Sequence, residues 1–231
     1  MNVIRKLTKG LILIILLIVS IKVAFSQTLI QGILLMCLAI LGMILLEIRE
    51  SERYIEAIVK RIYVCVDFET ALALGRALEQ QLIFDFLSRA VTKLAIQMTA
   101  YYTGDFSHAT GINKSVFLKD IEKWSTLMHL HVKKDKQLLE DIDYVWLKTA
   151  HRKAKKGYEE RTIEILSLTA DTFNKESIQQ LRTKENSNLH MAELSYLLAT
   201  LTHEPRKKSY LLKAAANLAS ETYFNQVNEE A

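Results

Sequence analysis

Residues Leu11 to Leu46 read LILIILLIVSIKVAFSQTLIQGILLMCLAILGMILL, and Lys22 is the only charged side chain among them. Water rejects such a stretch along its whole length. A membrane-spanning helix needs roughly 20 mostly apolar residues, so the run is too long for one crossing. Ser26, Gln27, Thr28 and Gln31 interrupt it near the middle. The pattern therefore predicts a hairpin of two spans, Leu7 to Phe25 and Thr28 to Ile48, within an anchor over residues 1–48. Lys22 falls near the outer end of the first span, where its alkyl stem can snorkel to the headgroups.

Cations flank the pair on both sides: Arg5, Lys6 and Lys9 before it, and Arg49, Arg53, Lys60 and Arg61 after it. Cytoplasmic loops carry the excess of Lys and Arg. This predicts a multi-pass protein of the cell membrane (inner or plasma), with both termini and the main domain in the cytoplasm. A cleaved signal peptide is the competing reading, since Met1 to Lys9 is basic, Leu11 to Ser20 is apolar and Ala24-Phe25-Ser26 resembles a cleavage site. Even then the second span and its trailing cations would stop transfer, leaving the C-terminal part cytoplasmic.

Residues 49–231 suffice for one domain with a sizeable core. The whole chain holds one proline and seven glycines, and such scarcity of helix breakers predicts an all-helical domain with short turns. The formal charge is +4, of which +3 lies before Arg49. A nearly neutral domain lacks the basic footprint of a nucleic-acid binder. Cys37 falls inside a span and Cys65 in a helical pattern, so neither a disulfide nor a metal site is expected. No catalytic, nucleotide or cofactor signature emerges, and the chain reads as a non-enzyme. A site built from residues distant in sequence would leave no spacing signal.

Apolar residues at three-and-four spacing mark the helices. Tyr54, Ala57, Ile58, Ile62 and Cys65 continue the second span; Asp67 then offers an N-cap to a helix bearing Phe68, Ala71, Leu72, Gly75 and Leu78. Ile83, Leu87, Ala90, Leu94, Met98 and Tyr101 stripe the next helix, which stops at Thr103-Gly104. Asp105 caps again, and Gly111 to Ser115 is a predicted break. Further stripes are Phe117, Ile121, Trp124 and Met128; Leu138, Ile142, Val145 and Thr149; and Ile163, Leu166, Ala170 and Phe173. Asn174 to Asn188 is polar enough to be a loop. Leu194, Leu197, Leu198 and Leu201 form the penultimate helix, and Pro205 opens the last.

The turn Tyr101-Tyr102-Thr103-Gly104-Asp105-Phe106-Ser107-His108-Ala109 resembles the Gly-Asp-aromatic-x-x-Ala turn of tetratricopeptide repeats. Asp67-Phe68-Glu69-Thr70-Ala71 echoes it 38 residues earlier, against a family period of 34. Met191 to Ala219 is similar to a further repeat, whereas Gly157-Tyr158-Glu159-Glu160 has Arg161 where alanine is wanted. The resemblance implies an array of helical hairpins, an α-solenoid, in which each pair buries its apolar face against the next. Two spans leading into such repeats also resemble the layout of HemY-type membrane proteins. No functional residue carries over from either family.

The densest charge beyond the spans is Lys148, Arg152, Lys153, Lys155 and Lys156, with His151 among them. It reads as a solvated face, or as a surface for anionic lipid headgroups or an acidic protein partner. His129 and His131 are two residues apart and on a helix point to different sides, which argues against a shared metal. Glu140, Asp141 and Asp143 suit a helix N-terminus, and Trp124 and Trp146 suit the core. The sequence as a whole predicts a membrane-anchored adaptor or scaffold whose helical domain binds an unidentified protein partner. The alternative is a regulatory or assembly subunit packing its spans, through Ser20, Gly32, Ala39 and Gly42, against a membrane transporter or enzyme.

Overall fold

The computed structural model describes residues 2–26, 28–168 and 174–223. Among the described residues there are eleven α-helices, one π-helical turn and no strand. Two of the helices are long and apolar enough to cross a membrane. These are α1 (Asn2–Ser26) and α2 (Leu29–Lys60), which pack against each other. Thr28 caps α2 by accepting from the Gln31 N–H. Close approach of the two helices depends on Gly32, since a Cβ there would lie 2.2 Å from that of Ala24 and 2.7 Å from the Ser20 carbonyl oxygen. Leu34, Leu38, Leu41 and Leu45 remain exposed on the outside of the hairpin.

α2 does not stop where its apolar run stops. It continues through Glu47, Ser51, Ile55, Ile58 and Val59, all buried, and widens into the π-turn Arg61–Cys65, which buries Ile62 and Tyr63. The buried stripe runs through Ile55, Val59 and Tyr63 rather than Tyr54, Ala57 and Cys65, and in the π-turn Tyr63 faces the core and Cys65 the solvent. Val66 then reverses the chain in a left-handed conformation, φ 52°, and Asp67 caps α3 (Phe68–Glu79) by accepting from the Thr70 N–H at 2.9 Å.

α3 and α4 (Asp85–Tyr102) form an antiparallel pair: Phe68 packs near Tyr102, and the Thr92 hydroxyl donates to the Gly75 carbonyl at 3.0 Å. The one-turn α5 (Phe106–Ala109) precedes an irregular stretch over 110–118, as the predicted break requires. α6 (Lys119–Asp135) lies along α4, with Gln97 bonded to Ser125 and Tyr101 to Asp135. α7 (Asp141–His151) and α8 (Tyr158–Leu166) follow. The segment expected to be a loop holds α9 (Lys175–Thr183), capped by Asn174; Ile178 is buried and Leu181 packs beside it, so its apolar signal is two residues long. α10 (Asn188–Thr200) and α11 (Pro205–Leu218) close the chain, and Pro205 opens α11 as expected. Ala170, Phe173 and the tail from Asn225 lie outside the described residues.

The core centres on Tyr63. Its ring stacks on Tyr158 at 5.6 Å and meets Trp124, Tyr102 and His190 at 5.6, 5.9 and 4.6 Å. The Tyr102 hydroxyl donates to that of Tyr63, and the Ser187 hydroxyl donates to the Tyr63 carbonyl across 124 residues of sequence. Thus α10 returns to the end of α2.

Candidate functional site

α7 was read from sequence as burying Leu138, Ile142, Val145 and Thr149. The structure reverses this: Leu138 is 57 % exposed, Ile142 71 % and Val145 65 %, while Leu147 is the buried residue of the helix and Tyr144, Trp146 and Ala150 pack beside it. α7 is apolar on nearly every side, so periodicity could not choose its buried face. Glu140 and Asp143 form a capping box at its start, and Asp143 also accepts from Lys133. That acidic cluster is therefore structural.

Turning about the helix axis from the exposed stripe leads directly to Arg152 and Lys148. These two open onto a groove of about 680 Å³ between α7, α8 and α9. Tyr144, Leu168 and Leu181 give it an apolar floor, Lys184 completes a cationic rim, and His151 and the carboxylate of Glu164 also line it. Glu164 accepts from Arg161, which neutralises it locally. Lys148, Arg152, Lys153 and Lys156 are exposed and make no ion pair with a described residue. Lys155 differs: it donates to Asp120 at 2.8 Å, which raises its pKa. Lys155 and Lys156 line a second, smaller cleft with Ile55, Glu56, Val59 and Trp124. The run read as one patch is thus divided between two concavities by the turn 152–157.

Trp124 is buried and Trp146 packs against the core, as expected. His129 is half-buried, but His131 is 1 % exposed rather than a boundary residue. It belongs to a buried polar network that sequence reasoning missed. Its Nδ1 lies 3.7 Å from Glu193, and burial, followed by the charges of Lys134 and His190, holds its pKa well below the usual histidine value. Burial pushes Glu193 up to about 8, against the opposing pull of Lys134. Nearby, the Thr162 hydroxyl and His190 Nε2 are 3.0 Å apart. Burial raises Glu185, but neighbouring His190 and the Ser187 and Asn186 N–H groups hold it at about 2. Neither groove is lined by His131, Glu185, His190 or Glu193. The network sits within the packed core and ties α10 to α6 and α8.

A second missed feature joins the apolar hairpin to the rest. Glu47, fully buried, accepts from the Ile83 and Phe84 N–H groups at 2.6 and 2.9 Å, capping the entry to α4. Lys9 lies 3.9 Å from Glu47, is paired with Glu50 and donates to the Gln81 carbonyl. Lys6 reaches Asp85 and the Glu79 carbonyl, each at 3.3 Å. A lone carboxylate ending an apolar run was the only signal for this junction.

Ligand atoms of His151, Glu160 and Glu164 lie within 4.8 Å of one another, an arrangement that sequence spacing across two helices did not display. Comparison with protein-family models, with curated proteins and with solved structures returns no match in any of the three.

Proposed function

We propose that the protein is a membrane-anchored adaptor: α1 and α2 cross the bilayer as a hairpin, and the helical domain holds a protein partner beside it on the cytoplasmic side. The observation that carries this reading is the outer face of α7, where Ile142 and Val145 stand exposed next to Lys148 and Arg152, with Leu138 exposed in the segment just before the helix. Exposed apolar patches rimmed by polar groups mark interaction sites. The matching ligand is an amphipathic segment with acidic side chains, its apolar side on the stripe and its carboxylates over the groove rim. Anchoring raises the effective concentration of such a partner at the membrane.

The antiparallel pairs α3/α4 and α10/α11 support a repeat-like architecture of the tetratricopeptide kind. For the second cleft, which holds Lys155 and Lys156, distance favours a protein ligand over lipid. Lys155 shares its cleft with Glu56, nine residues beyond Glu47 and so roughly 13 Å further along α2. That exceeds the roughly 5–7 Å of headgroup layer outside the hydrocarbon.

The second reading, a subunit packing through its spans, has its own support in Gly42, where an added Cβ would point into open space. Gly32 and Ser20 are instead consumed inside the hairpin. A photo-crosslinking residue placed at Ile142, and separately at Gly42, in intact membranes separates the two. The adaptor reading expects an adduct from Ile142 that disappears when Lys148, Arg152 and Lys184 are all changed to Glu, with melting unchanged. An adduct from Gly42 alone overturns it.

A further inference from the structure

A different apolar surface lies at the start of α4 and in the segment before α6. Phe86 on α4 is 47 % exposed, and in the segment before α6 Ile112, Val116 and Phe117 are 45, 91 and 45 % exposed. The rings are in mutual contact, with Phe84 and Phe86 5.9 Å apart and Phe86 and Phe117 5.4 Å apart. Packing them onto one another, while leaving each open to water on its far side, makes a small ledge rather than scattered residues. Its surroundings are mainly basic, with Asp85, which pairs with Arg89 at 3.6 Å and with Lys6, the carboxylate beside Phe86. Arg89 and Lys93 follow Phe86 at helical spacing on the exposed side of α4, and Lys114 and Lys119 bracket Val116; all four are exposed.

The position of this ledge follows from the junction already described. From Leu29 to Leu46 α2 is apolar for 18 residues, about 27 Å, close to the roughly 30 Å of bilayer hydrocarbon. Glu47 therefore falls at the hydrocarbon edge when α2 spans the membrane. Because Glu47 accepts from the Ile83 and Phe84 N–H groups, the start of α4 is fixed at the same depth. Lys6, on the neighbouring span, holds Asp85 there from the other side. Phe86 is the next residue, and Phe117 touches it.

We infer that the Phe86, Ile112, Val116 and Phe117 ledge enters the headgroup layer of the bilayer that α1 and α2 cross, with Arg89, Lys93, Lys114 and Lys119 over anionic headgroups. Apolar side chains shallowly inserted beside Lys and Arg are how surface-bound segments hold a membrane. Here the insertion is continuous with the spans, so the hairpin fixes the domain's depth and the ledge fixes its tilt. The α7 face is then oriented relative to the membrane rather than swinging about α2. This inference rests on the spanning reading of α1 and α2.

The test uses the full chain with Cys37 and Cys65 replaced by Ser, reconstituted into vesicles of phosphatidylcholine and phosphatidylglycerol. An environment-sensitive nitrobenzoxadiazole label is placed by Val116→Cys, by Leu38→Cys within the second span, or by Tyr210→Cys at an exposed position of α11. The expected result is quenching of the Val116 label by lipid spin-labelled near the headgroup, at least twofold greater than that of the Tyr210 label and independent of the protein-to-lipid ratio. Val116 quenched no more than Tyr210 while Leu38 is quenched by deep spin labels would overturn the ledge and leave the spans standing. Absence of quenching at Leu38 as well would overturn both. Quenching that varies with the protein-to-lipid ratio would assign the ledge to contact between copies of the chain instead.

Discussion

Replacing Glu47 by alanine tests whether the apolar hairpin and the helical domain are one structural unit. The carboxylate is wholly buried and serves three partners: the Ile83 and Phe84 N–H groups directly, and Lys9 at 3.9 Å. Hydrogen bonds to a charged group contribute about 1.5–3 kcal/mol each, and removing one member of a buried charged set costs about 3–5 kcal/mol because the others are left without a partner. Glu47→Ala should therefore destabilise the protein by about 3–5 kcal/mol. For a chain of this size that lowers the melting temperature by roughly 10 °C. Glu47→Gln keeps one acceptor and should fall between the two. Glu50→Ala, at the partly exposed rim of the same cluster, should cost under about 1 kcal/mol. Thermal unfolding of the detergent-solubilised chain, followed by circular dichroism at 222 nm, reads all three. Equal melting of Glu47→Ala and the parent would refute the idea that this carboxylate ties α2 to the entry of α4.

A fragment starting at Arg49 should retain helical dichroism but melt below one starting at Met43, which keeps the Glu47 cap. Gly32→Ala forces a Cβ into Ala24 and the Ser20 carbonyl and should cost about 1–3 kcal/mol; Gly42→Ala, in open space, should melt like the parent. The raised pKa of Glu193 means that the folded state keeps a proton that the unfolded state has lost between about pH 4.5 and about pH 8. That group's contribution to stability therefore declines as pH rises through this window. Glu193→Gln should be more stable than the parent at pH 8, with the difference shrinking toward pH 5. A difference that grows on acidification would show the opposite linkage. His131 and His190, held low by burial, act in the other direction: stability is lost as pH falls below the ordinary histidine value of about 6.5. Replacing Glu193 isolates its contribution from theirs.

The apolar hairpin was legible in the sequence because the bilayer-length run admits few alternatives, and α3, α4, α6 and α11 were legible because each has one apolar stripe or a clear cap. Legibility failed where those signals are missing. α9 has only Ile178 buried, too little for periodicity to register. α7 has apolar residues almost all round, and its buried side was decided by Leu147 docking with Tyr144 and Trp146. The Tyr54 to Cys65 stripe is displaced by one residue, to Ile55, Val59 and Tyr63, because both neighbouring sets of positions are apolar there, and a π-turn ends it. Among the site residues, the cationic run was evident as charge, but its division between two grooves depends on the turn at 152–157 and on Asp120 arriving from another helix. Glu47, His131 and Glu193 are single polar residues in apolar surroundings. Their roles come from partners 36 residues away for Glu47 and Ile83 and 62 for His131 and Glu193, distances at which spacing carries no information.

We propose a hairpin crossing the bilayer, with the helical domain and the start of α1 on one side and the turn on the other. Cysteine accessibility in intact cells measures it most directly, in a background with Cys37 and Cys65 replaced by Ser. With a membrane-impermeant maleimide applied from outside, Thr28→Cys at the turn should be labelled at once, and Tyr210→Cys on exposed α11 only after the membrane is permeabilised. Labelling of Tyr210→Cys in intact cells, or equal access of both positions from the same side, would contradict the account.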